Sequence, residues 1–258
     1  MKRKGLVVIV TFALMLSIAC SASAAYKISY FYVGHRVYED GRNLNRINIE
    51  FRDESGNYPQ EDQLKSLVLI NPKGKQVPIA NLKFYNDGML SGYYDANNGI
   101  WIYGELGPDV GYGGVIEQAL IQGIYSLKAN FAGAKSSMTY AFNGLEKLPI
   151  IKSSSIKTKD FQGNLICEWA VPYSLSKTNP GLTTSVRAMI DIYQQDAYQG
   201  CLWVRIPTHM GRLFVPRSVL DIIESTGDKF VVGIQLRTND NNNRTYSAGK
   251  EITLPPPQ

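Results

Sequence analysis

The sequence predicts an all-β protein: two β-sandwich domains in tandem behind an N-terminal export signal. Three observations predict it. Short β-branched and aromatic runs recur about every 8 to 15 residues, Gly, Asn, Asp and Pro separate them, and the chain opens on an apolar segment with basic residues before it and small residues after it.

Residues 1–25 carry the three regions of a secretory signal: the basic start MKRKG, the apolar run from Leu6 to Ile18, and small residues from Ala19 to Ala25. The run is shorter than the about 20 apolar residues a membrane-spanning helix needs. Cleavage after Ala24 or Ala25 is therefore expected, with a periplasmic or secreted mature chain. A second route stays open, because Ala19-Cys20 is also the small-residue-then-Cys pattern of a lipoprotein signal. A diacylglycerol on Cys20 would then anchor the chain to a membrane; against this, Ser17 stands where such signals usually carry Leu. Lys2, Arg3 and Lys4 supply three of the formal +5 charges, which leaves +2 on the mature chain. Without a run of even four basic residues, that charge is no nucleic-acid footprint.

The first domain, residues 26–149, is expected to place strands at Lys27 to Val37, Asn45 to Arg52, Leu67 to Asn71, Gln76 to Phe84, Gly99 to Gly104, Gly123 to Phe131 and Met138 to Asn143. Turns fall at Glu39-Asp40-Gly41, Ser55-Gly56-Asn57, Asn71-Pro72-Lys73-Gly74, Asn86-Asp87-Gly88 and Asn97-Asn98-Gly99, where these residues tolerate positive φ. Ile47, Ile49 and Phe51 alternate with Arg46, Asn48 and Glu50, giving one buried and one wet face. Val115, Ile116, Ala119 and Leu120 have helical spacing, so Gly114 to Gln122 is expected to be a short helix. Pro149 and the run Ser153-Ser154-Ser155 mark a linker, with the boundary near residue 150.

The second domain, residues 150–258, is expected to hold strands at Ile151 to Lys157, Asn164 to Val171, Thr184 to Tyr193, Gly200 to Ile206, Phe214 to Ile222, Lys229 to Arg237 and Thr245 to Leu254. Seven short strands in a domain of this size match an immunoglobulin-like sandwich. Leu165, Cys167 and Trp169, with Pro172 after them, resemble the tryptophan-bearing second strand of fibronectin type III domains. Leu220, followed after a turn by Phe230, Val232, Ile234 and Leu236, resembles their sixth strand. The resemblance covers most of residues 151–258 and implies core positions and a fold, not an activity. It departs from the family in the long Tyr173 to Leu182 connection and in Phe230, where Tyr is usual. More loosely, Gly123-x-Tyr125-x-Leu127-x-Ala129 resembles bacterial immunoglobulin-like modules. The proline-rich tail 255–258 is expected to fray.

Catalytic and metal-binding patterns are sparse. His35 and His209 lie in different domains without nearby Cys, which leaves neither a zinc site nor a triad base. Glu105, Asp109 and Glu117 are close in sequence, as a glycosidase pair would be, but loop acids are normally just solvated. Gly107, Gly111, Gly113 and Gly114 lack the Lys of a phosphate loop, so nucleotide binding is excluded. Asp95 to Asn98 and Asn239 to Asn243 lack the spacing of a calcium loop. No cofactor, metal or catalytic residue is expected. Cys167 and Cys201 are the two cysteines beyond the signal. Either an oxidising compartment bridges them or they are buried thiols. One distribution stands out: twelve of the sixteen tyrosines precede residue 150, and Tyr93, Tyr94, Trp101, Tyr103 and Tyr112 fall within one short stretch. Such rings either contact a ligand or pack a sandwich end. The function expected is non-enzymatic binding, adhesion or assembly at the bacterial cell envelope, with a protein or glycan partner. A carbohydrate-binding module using those aromatics is the alternative, and an envelope glycoside hydrolase a more distant one.

Overall fold

The computed structural model describes residues 25–95, 100–131, 134–176, 184–238 and 240–256. The expected export signal, with Cys20, lies outside them.

The chain is all-β, with sixteen strands among the described residues. In the first half these are β1 (Lys27–Tyr38), β2 (Asn43–Arg52), β3 (Leu64–Ile70), β4 (Gln76–Val77), β5 (Ile79–Asp95), β6 (Ile100–Ile116), β7 (Gly123–Phe131) and β8 (Ala134–Phe142). The second half holds β9 (Lys157–Phe161), β10 (Asn164–Glu168), the short helix α1 (Tyr173–Ser176), β11 (Thr184–Gln194), β12 (Ala197–Ile206), β13 (Arg212–Val215), α2 (Arg217–Thr226), β14 (Lys229–Thr238), β15 (Asn243–Tyr246) and β16 (Lys250–Ile252).

Each half is a sandwich with its own core. In the first, the sheet β4-β3-β7-β8 covers the outward faces of β1 and β2. Ile28, Phe31, Val33, Ile47, Ile49 and Phe51 there meet Leu69, Tyr125, Leu127 and Phe131. In the second, β13-β10-β9 and α2 cover β11, β12 and β14, so Ile190, Val204, Leu202 and Ile234 meet Leu165, Cys167, Leu213 and Leu220. Alternation explains both, because every second residue of a strand faces the covering layer.

The halves are not beads on a string. β11-β12-β5-β6-β2-β1-β15-β14-β16 form one nine-stranded sheet, to which the first half gives β5, β6, β2 and β1 and the second half the rest. Two parallel seams join their edges: Gly88–Tyr93 of β5 pairs with Gly200–Arg205 of β12, and His35–Tyr38 of β1 pairs with Asn243–Tyr246 of β15. Because β14 also pairs with β11, eight strands close a ring. Closure removes edges that would otherwise template association. The second core crosses a seam, for Leu90 of β5 stands opposite Leu202 and is buried with it. The segment after residue 143 is pinned as well. Leu148, Ile151 and Ile156 are buried in the second core. Glu39 accepts hydrogen bonds from the backbone amides of Ser153 and Ala248, both at 2.8 Å.

Several expected elements differ: Asn86-Asp87-Gly88 lies inside β5 and is no turn, Ile151 to Lys157 holds a 3-10 turn at Ser153–Ser155 in place of a strand, and the tail is held at Pro255, whose carbonyl accepts from Arg217 Nη1 at 2.6 Å. Gly114 to Gln122 is not a helix: β6 continues to Ile116, where Ile116 pairs with both Asn45 and Ile79, and sheet pairing outweighs the local spacing. Phe214 to Ile222 is not a single strand: β13 stops at Val215, Pro216 caps α2, and Val219, Leu220 and Ile223 turn one helical face into the core. Pro216 has no amide hydrogen to continue a ladder and suits a helix start.

Candidate functional site

The inward face of the ring is polar. Six consecutive strands each carry an arginine on it: Arg46 on β2, Arg36 on β1, Arg244 on β15, Arg237 on β14, Arg187 on β11 and Arg205 on β12. Their order follows from register. Arg36 pairs with Arg244 across the parallel seam, Arg244 with Arg237 across the next ladder, and Arg187 stands between Gln235 and Arg205. Arg237 and Arg244 are 8 % and 9 % exposed, while Arg205 sits at the exposed rim.

Aromatic rings separate the guanidiniums. Tyr38 stacks on Tyr246 at 4.8 Å between centroids. Arg244 lies over the Tyr32 ring at 4.4 Å, Arg36 over Tyr246 at 5.8 Å, and Arg187 over Trp203 at 4.0 Å. These cation–π contacts hold the cations against apolar faces without neutralising them. Arg36 donates to the Tyr32 hydroxyl at 2.7 Å and to Asn48 Oδ1 at 2.8 Å. The Nε groups of Arg36, Arg46, Arg187 and Arg244 find no hydrogen-bond partner among the described residues.

The wall lines a cavity of about 640 Å³, to which, among the described residues, seven of the eight ring strands contribute, Trp203, Gln235 and Tyr246 among them. The described part of the eighth strand, β6, places Gly111 and Gly113 against the wall. A Cβ on Gly111 would lie 2.5 Å from the Ile49 carbonyl oxygen and 2.7 Å from the Tyr85 hydroxyl, and one on Gly113 would meet Arg46 at 3.5 Å. The glycine-rich stretch is thus a thin wall that lets Tyr85 and Arg46 lie across it.

Electrostatics follow the crowding. Burial, then Arg237 and Arg244, push the Arg187 guanidinium down to about 9. Burial, then Arg205 and Arg244, push Arg237 down to about 10. Tyr246 is also buried, which alone would raise its phenol, but Arg36 and Arg244 outweigh burial and hold it below the usual range. Asp191, on the cavity wall, is pushed up to about 6 by burial.

The residues singled out from sequence fall elsewhere. Tyr112 is 5 % exposed in the first core, edge-on to Phe51 and Phe84, with its hydroxyl donated to the Glu61 carbonyl at 3.0 Å. Tyr93 and Tyr94 stand on β5, and Trp101 and Tyr103 on β6; their side chains, like those of Glu105 and Asp109, lie outside the described residues. Of the two readings of Cys167 and Cys201, the structure has the free thiols, Cys167 buried and Cys201 half-buried. Cys167 points into the second core, whereas Cys201, one residue out of phase with buried Leu202 and Val204, faces the cavity. Cβ vectors on opposite faces of a sheet cannot meet. His35 takes Asn45 Oδ1 as its partner at 2.9 Å, and neither it nor His209 lines the cavity. Asp240 is tied down by Thr238, Asn143 and the Asn242 amide. Among the described residues no three His, Cys, Asp or Glu form a metal-binding group.

Sequence reasoning reached Arg46, Asn48 and Glu50 as a polar face, but the girdle depends on pairing residues some two hundred positions apart, which no local pattern shows.

No family model and no curated protein matches the chain. Among solved structures it is similar to a two-domain fibronectin type III segment of chicken tenascin, with 14% identity over 90% of this chain and 99% of that one and a TM-score of 0.28. A likeness at that level carries no argument about fold, ligand or partner.

Proposed function

We propose that the chain is an exported, non-enzymatic binding protein of the bacterial cell envelope, and that its ligand site is the cavity inside the ring. One observation carries this reading: an inward arginine on each of six consecutive strands. Folding alone favours apolar side chains in such a place, since charges taken out of water cost several kcal/mol each unless paired. Cavities lined by rings with a few convergent polar groups are the usual form of small-molecule sites. The positions of His35 and His209 away from the wall support binding over catalysis. The export signal supports an envelope or extracellular setting, and adhesion or assembly with a protein or glycan partner remains within the same class.

The test is thermal melting of the mature chain, residues 26–258, with a panel of anionic, neutral and cationic solutes and soluble glycans. At least one class raises Tm of the native chain and not of Arg237→Met. A panel without any shift contradicts the reading. A glycan shift abolished by Trp101→Ala, but not by Arg237→Met, would instead place recognition on the Tyr93 to Tyr103 aromatics.

A further inference from the structure

We propose that the arginine girdle is a receptor for an oxyanion group, a carboxylate, phosphate or sulfate on a solute that enters the cavity, with Arg187, Arg237 and Arg244 as its seat. The proposal rests on the reading above that the cavity is the ligand site, and it names the chemistry of the ligand.

Register carries the argument. Facing like charges on neighbouring strands disfavour a sheet, yet Arg36, Arg244 and Arg237 form one row across three strands, and Arg187 faces Arg205 beside it. Among the described residues the cavity wall holds two acids, Glu50 and Asp191, and neither stands in that row. Glu50 is four residues from Arg46 on β2 and Asp191 four residues from Arg187 on β11, about 13 Å along a strand in each case. β2 runs against β1, and β11 runs with it through β15 and β14, so the two acids are displaced toward opposite ends. Among the described side chains, the charged ones at the waist between them are arginines.

Guanidinium chemistry fits this site better than ammonium chemistry would. Arg offers a planar fork that takes two oxygens of one anion at once. Every cation in the row is arginine. Burial strengthens each contact because water screens it less.

The experiment is calorimetric titration of the mature chain with inorganic phosphate, sulfate and citrate at ionic strength fixed by sodium chloride, with glucose and spermidine as neutral and cationic probes. At least one oxyanion binds at one site per chain. Arg237→Gln weakens it at least tenfold, Arg237→Lys less, and Arg205→Gln at the rim least. Preference for phosphate over citrate assigns a phosphoryl group, and the reverse a carboxylate. Should Arg237→Gln misfold by circular dichroism, Arg187→Gln makes the same test. Oxyanions that bind no better than chloride, or equal binding by Arg237→Gln and Arg187→Gln, overturn the proposal. If glucose or spermidine binds and the oxyanions do not, the anion fails while the cavity reading stands; if nothing binds, both fail.

Discussion

Arg237 of β14 stands directly opposite Arg244 of β15, two nearly buried guanidiniums on facing positions of an antiparallel ladder. Each such like-charge pair disfavours the sheet by roughly 0.2–1 kcal/mol. Arg237→Met keeps an unbranched apolar stem and removes the repulsion. In low salt and without ligand, the variant melts higher than the native chain, by about 1 kcal/mol of stability. Added sodium chloride narrows the difference by screening the native repulsion. A variant that melts lower at every salt concentration contradicts the account.

Asp191 gives a pH dependence of defined sign. The folded chain holds its proton up to about 6, above the unfolded value of 3.8, because burial disfavours the carboxylate. Its contribution to stability is therefore full at low pH and lost as pH rises through about 6. Denaturant melts of native chain and Asp191→Asn, compared at pH 4 and pH 7.5, isolate it from other acids. Relative to the variant, the native chain loses about 2 kcal/mol on going to the higher pH. No change in the difference contradicts the burial assigned to Asp191.

Cys167 and Cys201 face opposite sides of one sandwich layer, so exposure to oxidant leaves them unbridged. Burial also pushes the Cys167 thiol up to about 12, which keeps it inert. Alkylation of the folded chain adds one label, at Cys201, and denaturation admits a second; intact mass and peptide mapping read both. A chain that accepts none after oxidation until reduced contradicts the placement.

Gly111 tests the thin wall. Gly111→Ala sets a Cβ 2.5 Å from the Ile49 carbonyl oxygen, a backbone atom that cannot rotate away. The substitution costs about 2 kcal/mol or more, read by denaturant unfolding. Gly41→Ala is a comparison with open space, where only its positive φ of 89° opposes the new side chain.

Fold class was legible because strand alternation is local: Ile47, Ile49 and Phe51 lie in the first core, and Leu165, Cys167 and Trp169 in the second, as their period implies. Alternation also marks the opposite face of β2 as polar, but polarity is the same signal whether that face meets bulk water or a cavity. Ring closure depends on the two parallel seams, whose partners are about 110 and 210 residues apart; nothing in either segment names the other. α2 had a readable cue in Pro216 followed by Val219, Leu220 and Ile223. The apolar density of 214–223 fits a strand equally well.

The central claim is that the ring encloses a site that an anion occupies, and Cys201 reports on it from the cavity wall. The decisive measurement is the rate of Cys201 alkylation in the mature chain with and without the oxyanion that binds most tightly, at matched ionic strength. The account predicts at least tenfold slowing at saturation, and none in Arg237→Gln at the same concentration. An alkylation rate unaffected by that anion would contradict it.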